Sequence, residues 1–351
     1  MPEDVDIKFM RRCLELAGKA EGMTYPNPMV GAVIVHNGVI TGEGYHTKAG
    51  SPHAEVHAIK SVADKSTLRS STLYVNLEPC SHFGKTPPCA DLIISHGIPE
   101  VVAGTIDTSG NVSGRGIARL REAGCKVSTG VLENECRNLN RRFFTFHEKK
   151  RPYIILKWAQ SADGFIDGKR DKNGLKGPNW VTGRTERVLV HRWRASEQAI
   201  LAGAGTVRTD NPRLDVREWG GNNPVRIILS GSGNLGKELA ISGLVGSGIL
   251  FTFNGKAHIP GCVVIKLDSD KPAAEQITDY LFESGIQSLM VEGGAQVINH
   301  FISNGLWDEA RVFSGLSYFR EGVKAPAVEG KVAGETDFGL SSLAIVTNGA
   351  G

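Results

Sequence analysis

The sequence predicts a chain of two α/β domains, and three observations support this prediction. The chain has 351 residues, whereas a single core rarely grows beyond about 250–300 residues. Short apolar runs alternate with helical stretches in both halves, which is typical of α/β layers. A charged run that ends in a proline, residues 147–152, lies between the halves. We therefore expect domains over residues 1–147 and 148–351.

The first half predicts a domain that opens with an amphipathic helix, because Phe9, Cys13 and Leu16 recur at helical spacing. Asn37-Gly38 between two apolar runs indicates a hairpin. In chain order, the pattern predicts a helix over 6–20, a strand over 30–35, a helix over 53–63, strands over 73–77 and 101–103, a helix over 116–123, a strand over 125–127 and a helix over 134–146.

The second half predicts a further alternation of strands and helices that begins at Tyr153. The final stretch, residues 327–351, is rich in Gly, Ala and Ser and weakly patterned, so we expect it to be partly disordered. In chain order, the pattern predicts strands over 153–156, 199–201, 225–229, 248–253 and 288–291 and helices over 187–196, 274–283 and 296–303.

The composition limits the class of partner. The formal net charge is only +3, too small to indicate nucleic acid, although a local basic patch for a phosphorylated ligand is compatible with it. No apolar run has the length of a membrane span, and the acidic start of the chain lacks the apolar core of a signal peptide. We expect a cytoplasmic protein that binds neither nucleic acid nor membrane.

His53, Cys80 and Cys89 form the strongest candidate site. Zinc prefers nitrogen and sulfur ligands in a tetrahedron, and a catalytic zinc keeps one position open for water. Glu55 follows His53 by two residues, at the start of the predicted helix, where a carboxylate can move protons without binding the metal. A His-x-Glu followed by a Pro-Cys pair is the signature of zinc-dependent deaminases.

Two other interpretations of this cluster stay open. His57 lies one helical turn after His53 and would allow a site with two histidines, which leaves both cysteines unexplained. Cys80 and Cys89 would alternatively form a disulfide, which is rare in a reducing compartment. The other four cysteines have no partner spacing and are expected in the core.

The spacing of the two cysteines narrows the deaminase class. Nucleoside deaminases usually place two residues between them, whereas here eight intervene. The segment 79–89, with segments 26–31 and 44–50, resembles the deaminase half of the bifunctional deaminase/reductase family of riboflavin biosynthesis. The resemblance implies a cytidine-deaminase-like three-layer α/β domain that acts on a phosphorylated diaminopyrimidinone riboside. The implied substrate contacts are Asn27, His46, Lys48, His82 and Lys85.

The second half carries a candidate anion site at residues 291–296, where two glycines join a strand to a helix and present backbone N–H groups. With segments 157–164, 180–183 and 205–214, it resembles the reductase half of the same family. The resemblance implies a dihydrofolate-reductase-like α/β domain with NADPH as hydride donor, and a homo-oligomer, either dimer or tetramer. The implied cofactor contacts are Ala159, Trp180, Thr206, Asp210 and the run 294–300, which includes Gly294, Ala295 and Gln296. The implied substrate contacts are Lys157, Arg194, Leu214, Arg217 and Glu292.

Two features depart from the family pattern. Pro178 stands where the family usually has a substrate-binding serine, and residues 107–110 differ from its usual Asp-Pro-Asn-Pro. Two alternative functions therefore stay open. One is a nucleoside or tRNA deaminase with an unrelated or degenerate second half, and the other is a zinc-stabilised binding protein.

Overall fold

A computed structural model describes residues 4–81, 87–109, 113–170, 177–235, 248–257 and 261–349 of the chain. The chain divides into two compact units, Met1–Lys150 and Arg151–Gly351. The division falls after Lys150, where the helix Arg141–Lys149 ends, rather than after His147. Within the described part of the chain, no helix combines the length and the apolarity needed to cross a membrane.

The first unit is built on a five-stranded sheet of order β2-β1-β3-β4-β5, in which β3, β4 and β5 run parallel and β1 is antiparallel to both its neighbours. Its strands are β1 (Gly31–His36), β2 (Val39–Tyr45), β3 (Thr72–Val75), β4 (Glu100–Ala103) and β5 (Lys126–Thr129). Its helices are α1 (Asp4–Gly18), α2 (Ala54–Ser61), α3 (Cys89–Ser95), α4 (Arg115–Glu122), α5 (Glu133–Leu139) and α6 (Arg141–Lys149), with a 3₁₀ turn at Lys65–Ser70.

Helices cover both faces of this sheet, which makes three layers. Because side chains alternate across a strand, Ile34 packs toward α2, α3 and α4, whereas Val33 packs toward α1 and α5. The predicted hairpin is confirmed, with Asn37 and Gly38 at φ of 50° and 76°, as its two-residue turn requires. The helix predicted over 134–146 is two helices, separated at Asn140.

The second unit contains a nine-stranded sheet of order β11-β10-β9-β8-β12-β6-β13-β16-β15, parallel from β11 to β13 and antiparallel beyond. Its strands are β6 (Tyr153–Gln160), β8 (Ala199–Gly203), β9 (Val225–Leu229), β10 (Gly248–Thr252), β11 (Cys262–Lys266), β12 (Ser288–Val291), β13 (Glu309–Gly315), β15 (Lys331–Asp337) and β16 (Ser341–Thr347), with a separate pair β7 (Phe165–Gly168) and β14 (Gly322–Lys324). Its helices are α7 (Arg184–Ser196), α8 (Ala204–Asp210), α9 (Ala273–Glu283) and α10 (Ala295–Ser303).

The core of this unit lies on both faces of the parallel strands. On one face, α9 and α10 bury side chains such as Ile277 and Phe301 against Leu156 and Leu201. On the other face, α8 packs Val207 against the sheet. The helices therefore leave the carboxyl ends of the parallel strands open, which is where α/β sheets bind ligands.

The expected disorder of residues 327–351 is wrong for the described part of this tail. Strand β16 pairs with β13 along its whole length, from Ser341 to Thr347, and β15 pairs with β16. Leu343 is buried in the core, and the Ser341 hydroxyl donates to the buried carboxylate of Glu186. The tail therefore adds two strands to the sheet, although its residues alternate little between buried and exposed positions.

Candidate functional sites

The three predicted metal ligands converge in the first unit. His53 is the residue before α2, Cys89 is the first residue of α3, and Cys80 lies in the loop after β3. Nδ1 of His53 lies 3.5 Å from Sγ of Cys80 and 3.3 Å from Sγ of Cys89. The three ligand atoms all lie within 4.8 Å of one another, and both thiols are free rather than joined in a disulfide.

This donor set fits zinc. Bonds of about 2.0–2.3 Å from a tetrahedral zinc place neighbouring ligand atoms roughly 3.3–3.8 Å apart, which agrees with the two distances from His53. One nitrogen and two sulfurs leave the fourth position for water or substrate. His57 is not part of the cluster that the described residues form, so the alternative of a two-histidine site lacks structural support.

The two thiols of this site differ in acidity. Hydrogen bonds from Cys89 and His53 lower the pKa of Cys80 to about 4. The hydrogen bond to Cys80, together with burial, raises the pKa of Cys89. The separate hydrogen bond between His53 and Cys80 raises the pKa of His53, against the opposing effect of burial. These shifts favour the thiolate form of Cys80, and a bound cation would favour a second thiolate at Cys89, since metal ligands are thiolates.

Glu55 is buried beside the cluster, with only 3% of its surface exposed. Burial, reinforced by the negative charge of Cys80, raises the pKa of its carboxyl above the ordinary value. A carboxyl with a raised pKa can both accept and release a proton near neutral pH. Glu55 therefore lies where a proton carrier is needed, without being one of the three ligands.

Two of the predicted substrate contacts lie next to this cluster. The ring of His46 is buried and stands edge-on to that of His53, with centroids 5.5 Å apart. Nδ1 of His46 lies 3.1 Å from the carbonyl of Pro52, and Nε2 lies 3.1 Å from Nδ2 of Asn27. Burial lowers the pKa of His46. A neutral ring that donates to Pro52 and accepts from Asn27 satisfies both contacts.

The other predicted contacts of this half are less defined. Lys48 lies exposed on the turn after β2. His82 and Lys85 lie outside the described residues.

Three buried polar residues hold the segments of this site in place, and the sequence analysis did not identify them. Asn76 and Asn140 both bind the backbone of Met29, and Asn140 accepts from its N–H at 2.7 Å. Glu78 accepts four backbone N–H groups from residues 107–117, two of them in the first turn of α4. The side-chain amides of Asn76 and Asn140 fix the loop that carries Asn27, and the carboxylate of Glu78 fixes the chain next to Cys80. Asn140 separates α5 from α6, a break that the sequence did not reveal.

The second unit has a cavity of about 830 Å³ at the carboxyl ends of β6, β8, β9, β10 and β12. Gly294 has a φ of 60°, and a Cβ there would lie 3.2 Å from Oγ1 of Thr206, so the turn before α10 favours glycine. The N-terminus of α10 opens on the cavity, where N–H groups attract an anion. The predicted residues that line it are Lys157, Ala159, Thr206, Asp210, Glu292, Gly294, Ala295 and Gln296.

Four predicted contacts do not line this cavity. Trp180 is exposed and lies under the guanidinium of Arg187, 4.8 Å from the ring centroid. Leu214 is buried in the apolar cluster beside α8. Arg217 forms an ion pair with Asp215 at 2.6 Å, and Arg194 is bound to Glu292. Pro178, at the position of the family's serine, does line the cavity, as does Asn179.

A buried charge pair reaches the cavity through Glu292, which lines it. Arg194 donates from Nε and Nη2 to the two carboxylate oxygens of Glu292, at 2.8 and 2.7 Å. Burial raises the pKa of Glu292, but the charge and hydrogen bonds of Arg194 outweigh it and lower the pKa overall. Burial lowers the pKa of the neighbouring Lys157, although Glu292 opposes this. Arg194 therefore keeps Glu292 ionised next to Lys157.

Comparison with known proteins identifies the family. Residues 3–105 match the model of the cytidine and deoxycytidylate deaminase zinc-binding region, and residues 152–315 match that of the RibD C-terminal domain. The riboflavin biosynthesis protein RibD of Aquifex aeolicus is 39% identical over 340 residues, which cover 92% of this chain and 90% of that protein. The chain belongs to the RibD family.

Further RibD proteins agree in sequence and in structure. The RibD of Bacillus amyloliquefaciens is 38% identical over 87% of this chain and 83% of its own length. The diaminohydroxyphosphoribosylaminopyrimidine deaminase/5-amino-6-(5-phosphoribosylamino)uracil reductase of Thermotoga maritima superposes with a TM-score of 0.89 at 38% identity, covering 98% of this chain and 99% of that one. Acinetobacter baumannii RibD has a TM-score of 0.87 at 28% identity, covering 98% of each.

These matches confirm the fold class and both cofactors. The first unit is cytidine-deaminase-like and zinc-binding, and the second is an NADPH-dependent RibD reductase domain. The match over residues 152–315 also contradicts the alternative in which a nucleoside or tRNA deaminase carries a second half unrelated to the family's reductase domain.

Proposed function

We propose that this RibD-family chain catalyses two consecutive reactions of riboflavin biosynthesis. The first unit deaminates 2,5-diamino-6-ribosylamino-4(3H)-pyrimidinone 5′-phosphate at the carbon that bears the 2-amino group. The second unit then reduces the ribosyl group of 5-amino-6-(5-phosphoribosylamino)uracil to ribityl with NADPH. The observation that carries this proposal is the convergence of His53, Cys80 and Cys89 beside the buried Glu55, in one chain with the cavity of the second unit.

The first reaction depends on protons that Glu55 moves. His53, Cys80 and Cys89 would hold a zinc ion, which would supply a water of lowered pKa as the nucleophile. Glu55 takes one proton from the attacking water and delivers it to the ring nitrogen. Glu55 then takes the second proton, from the hydroxyl group added to the carbon, and delivers it to the amine, which departs as ammonia while the carbon–oxygen double bond forms. The raised pKa of this buried carboxyl suits both steps.

The residues around the metal site supply orientation. The ring of His46 lies beside His53 and binds the side-chain amide of Asn27, which leaves the other amide groups of Asn27 to bind a pyrimidine. Lys48 lies on the exposed turn nearby, where a cation can bind the substrate phosphate. We assign His82 and Lys85 to the same substrate on the family pattern alone.

The second reaction needs one hydride and one proton. NADPH, when bound in the cavity, would supply the hydride to C1′ of the sugar. The bond between C1′ and O4′ breaks as the ribose ring opens, and the protein has to protonate O4′. Lys157 lines the cavity, and burial lowers its pKa, which makes its ammonium a better acid. Glu292 lies beside it and stabilises the charged form. Hydride transfer otherwise requires that the nicotinamide and the sugar are held in contact.

Three remaining predictions belong to this proposal. We assign the deaminase to the first unit and the reductase to the second. The boundary predicted from the sequence, between residues 147 and 148, lies three residues before the division after Lys150. A homo-oligomer and a cytoplasmic location are inferred from the family and stay predictions.

The substitution Glu55→Gln tests the deaminase assignment. It keeps the size of the side chain but removes its ability to carry a proton, so ammonia release should fall by about 10²–10⁴-fold. Zinc content, measured by elemental analysis, and NADPH oxidation with the deaminated intermediate should stay unchanged. Glu15→Gln, at an exposed carboxylate of α1, is the matched control. Full ammonia release by Glu55→Gln, or loss of its zinc, would contradict the role of Glu55.

A further inference from the structure

The charged side chains that line the cavity of the second unit differ in whether they have a partner of opposite charge. Its acidic lining residues are Asp167, Asp210 and Glu292. Glu292 is neutralised by Arg194. Asp167 and Asp210 both bind Arg170, at 2.7 and 3.3 Å. At the end of the cavity next to β6 and β7, the carboxylates are therefore neutralised by arginines. We call this the paired end.

Two further cationic side chains line the cavity, and neither has a carboxylate partner among the described residues. Arg208 extends from α8, and its Nη1 donates to the carbonyl of Asn234 at 3.0 Å, in the loop after β9. Lys271 lies two residues before α9. Both side chains are exposed, and neither forms an ion pair with any residue that the structure describes. Unpaired cations on a ligand cavity attract a dianion more strongly than paired ones do.

An exposed aromatic ring lies at the same end of the cavity. Phe253 directly follows β10 and is 40% exposed, and it lines the cavity together with Gly231 of the loop after β9. The two loops are joined, because Nδ2 of Asn254 donates to the carbonyl of Ser232 at 2.9 Å. An aromatic face on a cavity wall is a surface on which a nucleotide base stacks.

The order of strands separates this end from the paired end. In the sequence β9-β8-β12-β6, β9 lies three strand spacings from β6, about 14 Å. The N-terminus of α10, which follows β12, lies between the two ends and suits a pyrophosphate. A dinucleotide with its nicotinamide near Lys157 would therefore place its adenosine at β9 and β10.

We propose that Arg208 and Lys271 bind the 2′-phosphate of NADPH, that Phe253 stacks on the adenine, and that the two cations make the chain prefer NADPH to NADH. The inference rests on the proposed function, since it takes the cavity as the cofactor site. It assigns roles to three residues that the sequence motifs left unassigned. A carboxylate near a 2′-hydroxyl favours NADH, whereas cations favour the 2′-phosphate.

Equilibrium binding to the full-length chain tests this assignment without turnover. Dissociation constants for NADPH and NADH are measured by nucleotide fluorescence for the unaltered chain and for Arg208→Gln and Lys271→Gln. Each substitution should weaken NADPH binding about tenfold, the loss expected for one charge-assisted hydrogen bond, and leave NADH binding unchanged. Lys331→Gln removes a positive charge from the exposed strand β15, away from the cavity lining, and should alter neither.

Two more variants sharpen the test. Phe253→Ala should weaken NADPH and NADH equally, because both carry adenine. Arg208→Lys should recover most of the preference that Arg208→Gln loses. Equal affinity of the unaltered chain for the two nucleotides, or equal loss of both in the glutamine variants, would overturn the assignment alone. Failure of the unaltered chain to bind either nucleotide would overturn the proposed reductase as well.

Discussion

Removal of Arg194 tests how much its ion pair with Glu292 contributes to the stability of the second unit. In the variant Arg194→Met, the carboxylate of Glu292 keeps its buried position but loses both hydrogen bonds. The side chains of Arg194 and Glu292 are only 12% and 6% exposed, so solvent cannot replace the lost partner. Breaking such a pair costs about 3–5 kcal/mol, and we expect the lower end, about 3 kcal/mol, because Lys157 remains beside Glu292.

The loss should depend on pH. In the unaltered chain, Arg194 lowers the pKa of Glu292, so the pair stabilises the fold above the unfolded pKa of about 4.3. This stability is lost as the pH falls through the lowered folded value. Without Arg194, burial raises the pKa of Glu292, and its ionised form opposes folding at neutral pH. The difference between the two proteins should therefore be largest near pH 7–8 and shrink toward about pH 4.

Thermal unfolding followed by circular dichroism at several pH values measures the effect. A loss of about 3 kcal/mol corresponds to a fall in Tm of roughly 6–12 °C for a unit of this size. Arg213→Met is the matched control. Arg213 pairs with the buried Asp215, but 58% of its own side chain is exposed and Asp215 keeps its ion pair with Arg217, so the substitution should cost less than about 1 kcal/mol. Equal effects of the two substitutions, or a loss independent of pH, would refute the reasoning.

Two further predictions concern residues that the sequence did not single out. Asn140→Ala removes two buried hydrogen bonds to Met29, so it should cost about 2–3 kcal/mol and raise the KM for deamination more than it lowers kcat. Asn138→Ala, at an exposed position, is the control, and equal steady-state kinetics for the two variants would contradict the prediction. Deletion of residues 331–351 removes β15 and β16 and leaves Glu186 without Ser341. NADPH oxidation should then be lost while ammonia release persists, and an active reductase in the shortened chain would show that the tail is dispensable.

Periodic elements with strong boundary signals are the part of the fold that the sequence predicts well. Strand β9 has the predicted bounds, and the hairpin at Asn37-Gly38 forms as expected. Strands β15 and β16 were not predicted, because β16 is only half buried and β15 is exposed along most of its length. Such strands are defined by their pairing partners, which a local pattern cannot contain.

The metal ligands are predictable because their chemistry restricts residue type and spacing. His53, Cys80 and Cys89 converge although eight residues separate the two cysteines. The reductase contacts are less predictable from the sequence. Arg194 and Leu214 were both expected to contact the substrate, yet one binds Glu292 and the other enters the core. Their surroundings come from distant segments, so only the folded chain shows which side chains reach the cavity.

The central claim is that one chain carries out both reactions in order. The most direct measurement is a two-stage assay of the zinc-loaded chain with 2,5-diamino-6-ribosylamino-4(3H)-pyrimidinone 5′-phosphate. Ammonia is followed without nicotinamide, and NADPH is then added and its oxidation is followed. We predict stoichiometric ammonia in the first stage and NADPH oxidation in the second. Absence of ammonia in the first stage, or absence of NADPH oxidation in the second, would contradict the two-step activity.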